Sequence, residues 1–179
     1  MKKDLFVAFV ILFVLILIFS GVEIQSVDEY YLTHLDDIRE DSETVFLTVR
    51  CDEALEHVGQ MNVELLASGL LPSNGVILAR TEYVLREGDS VYEILDRAMR
   101  HNRIPTEYVY SSDGGVYVKG MGHLYEYDCG PLSGWSFSVN GEPAQSSCNR
   151  LELSDGDEIV WSYTCSLGLF SAQEGGGGQ

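Results

Sequence analysis

Residues 5–19 are apolar without a break and follow Lys2 and Lys3. Extended through Ser20, Gly21 and Val22, the run reaches the ~20 residues that a membrane-crossing helix needs. The two lysines would stay on the cytoplasmic side while the acidic downstream flank is exported. The pattern therefore predicts a single N-terminal transmembrane signal-anchor over 1–22, with a cleaved signal peptide as the competing reading, and either one places the rest of the chain outside the cytoplasm.

Past residue 44 the apolar positions shift to period two. Val45, Leu47, Val49 and Cys51 share one face and Phe46, Thr48 and Arg50 the other, as in a half-buried strand. A mixed stretch over 53–71 ends in Leu71-Pro72-Ser73-Asn74-Gly75, which is turn chemistry, and 76–78 and 81–86 read as strand pieces. Ser90 and Glu93 then form a capping box. Val91, Ile94, Leu95 and Ala98 follow at helical spacing, with Glu93 and Arg97 placed as an i,i+4 pair. Arg100 and His101 suit the negative end of this helix, and Asn102 and Pro105 stop it. Residues 107–110 and 116–119 predict a hairpin around Asp113-Gly114-Gly115. Trp135, Phe137 and Val139 alternate with Ser136 and Ser138 before an Asn140-Gly141 turn, and Ile159, Trp161, Tyr163 and Cys165 share the face of a closing strand. Short strands around one main helix predict a compact α+β domain.

Charge narrows the function. Acidic residues number 28 against 11 basic, a net charge of −17. Nucleic acid is excluded as a partner, since phosphate binding needs clustered Lys and Arg. The acidity reads as a self-repelling extracellular surface, and no calcium loop of the D-x-[DN]-x-[DN]-G type occurs. The expected organisation is the anchor (1–22), an acidic juxtamembrane spacer (23–44), the folded domain (45–168) and a flexible Gly-rich tail (169–179).

The four cysteines lie in the exported part, where oxidation is the default. With no C-x-x-C and with His34, His57, His101 and His123 scattered, no metal site is expected. Of the three possible pairings the expected one is Cys129–Cys148 with Cys51–Cys165. The first bridge brackets the Trp135 strand and its turn, and the second joins the ends of the first and last strands as parallel neighbours.

No catalytic constellation stands out. Ser133 sits in G-x-x-S-G rather than the nucleophile elbow G-x-S-x-G, and reads as a loop serine. Asp155 and Asp157 flank Gly156 as a tight turn before a strand. No phosphate-cradling loop is present, so the chain is expected not to be an enzyme. The tyrosines and tryptophans of the second half serve either core packing or a platform for a large planar ligand. Trp135 is the leading contact candidate, because the adjacent Gly134 lets other groups approach closely.

Cys129-Gly130, Ser133-Gly134-Trp135, Val139-Asn140-Gly141 and the run from Asp155 to Gly168 together resemble the transcobalamin-like C-terminal domain, a domain of unknown function common in surface proteins of Gram-positive bacteria. Pro72-Ser73-Asn74-Gly75-Val76 and Glu87-Gly88-Asp89-Ser90-Val91 fit the same pattern. The resemblance covers 45–168 and implies a small β-grasp-like fold, a mixed sheet packed on one main helix. In the vitamin B12 carriers of animals a related domain closes over a corrinoid as the smaller of two halves. Joined to the N-terminal apolar run, the resemblance leads to the expectation of a membrane-anchored extracellular binding module that takes a corrinoid (cobalamin-like) ligand together with a partner. By position, Trp135, Gly134, Tyr125 and Tyr127 become ligand contacts. A structural or adhesive cell-surface domain acting through protein or glycan contacts is the alternative.

Overall fold

The computed structural model describes residues 38–166 continuously, together with Lys3, Phe6, Val7, Phe9, Val10, Leu12 and Phe13. The chain divides into two units, Met1–Leu35 and Asp36–Gln179. The seven described residues of the first are helical and exposed. Among the described residues no helix is long and apolar enough to cross a membrane. Most of the expected anchor, the spacer up to residue 37 and the Gly-rich tail lie outside the described residues.

The second unit is α+β and rich in sheet. In chain order its elements are β1 (Thr44–Arg50), α1 (Asp52–Glu56), α2 (Val63–Ser68), β2 (Val76–Val84), α3 (Val91–His101), β3 (Thr106–Tyr110), β4 (Val116–Met121), β5 (Leu124–Tyr125), β6 (Gly134–Val139), β7 (Glu142–Pro143) and β8 (Glu158–Thr164). One mixed sheet has the order β2-β1-β8-β6-β7, and a second, antiparallel sheet has the order β3-β4-β5. β1 and β8 run parallel at the centre of the first sheet, with Leu47 opposite Ile159 and Val49 opposite Trp161. The stretches at 76–78 and 81–86 join into the single strand β2, whose pairing with β1 absorbs irregularities around Val49.

Period two puts Val45, Leu47 and Val49 on the buried face, where they share one core with Ile159, Trp161 and Tyr163 of β8 and with Val91, Ile94, Leu95, Ala98 and Met99 of α3. The expected capping box is present at Ser90 and Glu93, and Glu93 is committed to the cap. Arg97 pairs with Asp89 at 2.9 Å and donates to the Val84 carbonyl, which ties α3 to the end of β2. Arg100 takes the i,i+4 pair, with Asp96 at 2.8 Å. Asn140 (φ 53°) and Gly141 (φ 81°) supply the two positive φ angles that a tight β6–β7 hairpin demands.

The cysteine scheme is corrected. The disulfide joins Cys129 to Cys165, with Cα atoms 5.3 Å apart, while Cys51 and Cys148 are buried free thiols. β1 and β8 are indeed parallel neighbours, but Arg50 lies opposite Ser162. Cys51 is therefore level with Tyr163, two residues and roughly 6–7 Å short of Cys165, and α1 starts at the next residue. Cys148 is instead held in a 3₁₀ turn beside β4, its Sγ 3.5 Å from the Val116 carbonyl. What meets Cys165 is the loop after β5, which brings Cys129 to the end of β8.

Candidate functional site

The strand β6 sets the site, because its alternation sends two aromatic rings to one side. Gly134 to Val139 pair with Thr164 to Ile159 of β8, so Trp135 faces Tyr163 and Phe137 faces Trp161. Trp135 and Tyr163 meet edge-on with centroids 5.3 Å apart, and Phe137 and Trp161 stack at 4.7 Å with 28° between planes. Aromatic pairs favour both arrangements. Strand β4 and the segment from Ala144 to Cys148 wall in the side of this stack. The open cleft, about 580 Å³, is lined by Trp135, Phe137 and Trp161, by Val116 and Val118 of β4, and by Gln145 and Arg150 among the polar groups.

The two indoles differ in one respect. Trp135 Nε1 donates to the Leu124 carbonyl at 2.9 Å, whereas Trp161 Nε1, equally buried, has no hydrogen-bond partner among the described residues. A buried donor without an acceptor costs about 1–3 kcal/mol, so Trp161 is a residue of this cleft whose polar atom the fold leaves uncommitted. At the rim, Arg150 is paired with Asp113 at 2.9 Å and also donates to the Asp113 carbonyl. Hydrogen bonds from Ser111 and from the Gly115 amide, with Arg150 behind them, pull the Asp113 carboxyl down to about 2. Cys148 lines the same cleft, and burial pushes its thiol up to about 11, so it stays protonated there.

Of the expected contacts, Trp135 lines the cleft but is 3% exposed, with its polar atom already bonded. Gly134 is buried opposite Thr164. Tyr125 and Tyr127 are exposed and are not among the lining residues of the cleft. The Tyr125 ring lies across Gly120, its partner on β4, so closely that a Cβ there would come within 2.3 Å of it. Tyr127 holds a positive φ of 71° in the loop.

Ser133 does bind something, but what it binds is its own loop. It accepts from the Cys129 amide at 3.0 Å and lies 2.8 Å from the Gly130 carbonyl and 2.9 Å from the Tyr163 hydroxyl, which itself reaches the Tyr125 carbonyl at 2.7 Å. Trp135, Ser133 and Tyr163 therefore fasten the 124–133 loop in place. Sequence reasoning missed Phe137 and Trp161 as site residues. Their signal was the period-two phase shared by the two strands, which aligns them only once β6 and β8 are known to pair.

A second group of polar side chains gathers at the end of β8. Glu53 and His57, one helical turn apart on α1 and its C-cap, bring their donor atoms and the Cys165 sulfur within 4.8 Å of one another. Glu53 Oε1 accepts from the Cys165 amide at 2.9 Å and from Thr164 Oγ1 at 3.0 Å. His57 Nδ1 lies 2.9 Å from the Glu53 carbonyl, which can only accept, so Nδ1 carries a proton and Nε2 is the nitrogen that holds the lone pair whenever the ring is neutral.

No curated protein matches the chain. Among solved structures it is similar to haptocorrin in complex with Cbi, at TM-score 0.44 and 14% identity over 71% of this chain and 26% of that one. The chain thus spans about a quarter of the length of that relative. It is also similar to a protein from Ruminococcus gnavus ATCC 29149 described as a candidate metal-binding protein, at TM-score 0.41 and 13% identity over 68% of this chain and 96% of that one. In sequence, the family profile described as a domain of unknown function (DUF4430) matches residues 88–165, from just before α3 through β8 and the disulfide.

Proposed function

We propose that this domain is a non-catalytic binding module. It holds one side of a flat ligand against the Phe137–Trp161 stack, and a shift of the Trp161 ring, whose N–H is buried, presents that donor to an acceptor on the ligand. The orphan N–H on a residue lining a cleft of about 580 Å³ is the observation that carries this reading. The cleft lining sets the aromatic stack and two valines beside polar groups such as Ser111, Gln145, Ser146 and Ser147, so it offers both stacking and hydrogen bonding to a ligand.

The ligand class proposed is a corrinoid. It offers an extended conjugated face for the aromatic stack, and peripheral amides whose carbonyls accept hydrogen bonds. It is also the class implied by the resemblance of the loops around Trp135. A corrinoid exceeds the cleft in size, so the site is completed by a partner. The strand order, with a parallel central pair and α3 following the β1–β2 pair, supports a β-grasp-like description. The segment 1–22, with its apolar run from residue 5, serves as the anchor that displays the domain outside the membrane, with Lys2 and Lys3 inside.

The test is titration of the full-length chain in mild detergent with cobalamin, read by heat and by Trp fluorescence. Quenching that saturates in wild type and is lost in Trp161→Phe is the expected result. No response at high micromolar cobalamin would sink the corrinoid reading. An adhesive role has one specific observation in its favour: Tyr110, Tyr117, Tyr125 and Tyr127 are all exposed on or beside the β3-β4-β5 sheet. Recovery of a specific cell-envelope partner that is lost on changing Tyr110 and Tyr127 to Ser would favour it.

A further inference from the structure

We propose that reduction of the Cys129–Cys165 disulfide converts the end of β8 into a four-ligand site for a borderline divalent cation such as Zn²⁺, with Cys129, Cys165, His57 and Glu53 as ligands. This site is separate from the aromatic cleft and independent of the corrinoid reading.

Three of the four donors are already gathered. The sulfur of Cys165, a carboxylate oxygen of Glu53 and a ring nitrogen of His57 lie within 4.8 Å of one another. Ligands around a tetrahedral zinc at bond lengths of about 2.0–2.3 Å stand roughly 3.3–3.8 Å apart, so the group needs to close by only about 1 Å. The fourth donor, Cys129 Sγ, is bonded to Cys165 and is delivered to the same place.

The surroundings favour ligation. His57 donates through Nδ1 to the Glu53 carbonyl, the outer contact that fixes the tautomer of a zinc-binding imidazole and leaves Nε2 as ligand. Glu53 commits Oε1 to the Cys165 amide and the Thr164 hydroxyl, and no hydrogen bond reaches Oε2 among the described residues. The carboxylate is thus positioned by one oxygen and open at the other. All three residues are half-buried, so a cation has access from solvent.

The disulfide is what withholds the site. A bridged sulfur carries no thiolate charge and is a poor ligand, so the oxidised protein offers only a carboxylate and an imidazole. A dithiol reductant opens the bridge, leaving two thiols here and becoming a disulfide itself. Binding Zn²⁺ then releases two protons to solvent as the thiols become thiolates.

The test uses the full-length chain, oxidised and dithiol-reduced, titrated anaerobically with Co²⁺ and then Zn²⁺. The reduced protein should give thiolate-to-cobalt charge-transfer bands and the intense visible bands of tetrahedral Co²⁺, bleached by Zn²⁺. The oxidised protein should give neither, and it controls for the buried thiols of Cys51 and Cys148, which are free in both states. His57→Ala should weaken the reduced site by at least about tenfold, and Glu53→Gln, which keeps an acceptor for the Cys165 amide, by a smaller factor. Near-UV circular dichroism would confirm that the reduced variants remain folded. Equal binding by oxidised and reduced protein, or an undiminished site in His57→Ala, would overturn the proposal. So would X-ray absorption reporting four sulfurs around the zinc.

Discussion

Trp135 donates its indole N–H to the carbonyl of Leu124 at 2.9 Å, while Trp161, two residues' breadth away on the neighbouring strand, finds no acceptor among the described residues. Both rings are 3% exposed, so burial alone does not separate them. Trp135→Phe should destabilise the domain by about 1–2 kcal/mol more than Trp161→Phe, because the first strands a buried carbonyl and the second removes an unsatisfied donor. Urea unfolding of the two variants followed by far-UV circular dichroism measures the difference; equal losses would contradict it.

Tyr125 belongs to the sheet before it belongs to any ligand. Its ring covers Gly120, and a Cβ at that position would sit 2.3 Å from Cδ1 and 2.5 Å from Cε1. Gly120→Ala should therefore cost about 1–3 kcal/mol. In a Tyr125→Ala background the same change should cost much less, since the obstructing ring is gone. A double-mutant cycle by denaturant unfolding should return a coupling of about 1 kcal/mol or more, against near-additivity if the two residues do not touch.

The disulfide closes a loop with a sequence separation of 36, so its loss should cost about 3–4 kcal/mol by chain entropy. Peptide mapping without reduction should recover a Cys129–Cys165 linked peptide. Cys51 and Cys148 should appear unmodified unless the alkylating agent is added after unfolding. A Cys129–Cys148 peptide would contradict the fold around β8.

The same two thiols set an alkaline limit. Burial, with Asp52 adding for Cys51, pushes both up to about 11 from an ordinary value of 9.0. A folded pKa above the unfolded one means that the native state holds protons which the unfolded chain releases. Stability should therefore be flat up to about pH 9 and fall between about pH 9 and 11. Urea midpoints across that range should decline, and the decline should shrink in Cys148→Ala.

Ser90 accepts from the Tyr92 amide at 3.2 Å and shares the capping box with Glu93. Ser90→Ala should lower stability by about 1 kcal/mol. Native-state hydrogen exchange should show the loss first in the opening turn of α3.

Local rules made much of this domain legible. The cap at Ser90, the apolar face of α3, the Asn140-Gly141 hairpin and the alternation in β1, β6 and β8 all follow from interactions within a few residues. The stretch over 53–71 was less so. It folds as two short α-helices with a 3₁₀ turn between them, and the first helix with its C-cap sets Glu53 and His57 at i,i+4, a spacing that gains meaning only beside Cys165.

By itself, then, the sequence determined an α+β chain with its main strands and its main helix, because periodicity and capping are short-range effects. The tertiary structure decided the rest. It decided which cysteine meets which, since that depends on a register of parallel strands that no local signal encodes. It made Trp161 rather than Trp135 the tryptophan with an uncommitted N–H among the described residues, because the acceptor for Trp135 comes from strand β5, eleven residues earlier in the chain. And it gathered Glu53, His57 and Cys165 across a separation of 112 residues, which only the closing of the sheet by β8 could do.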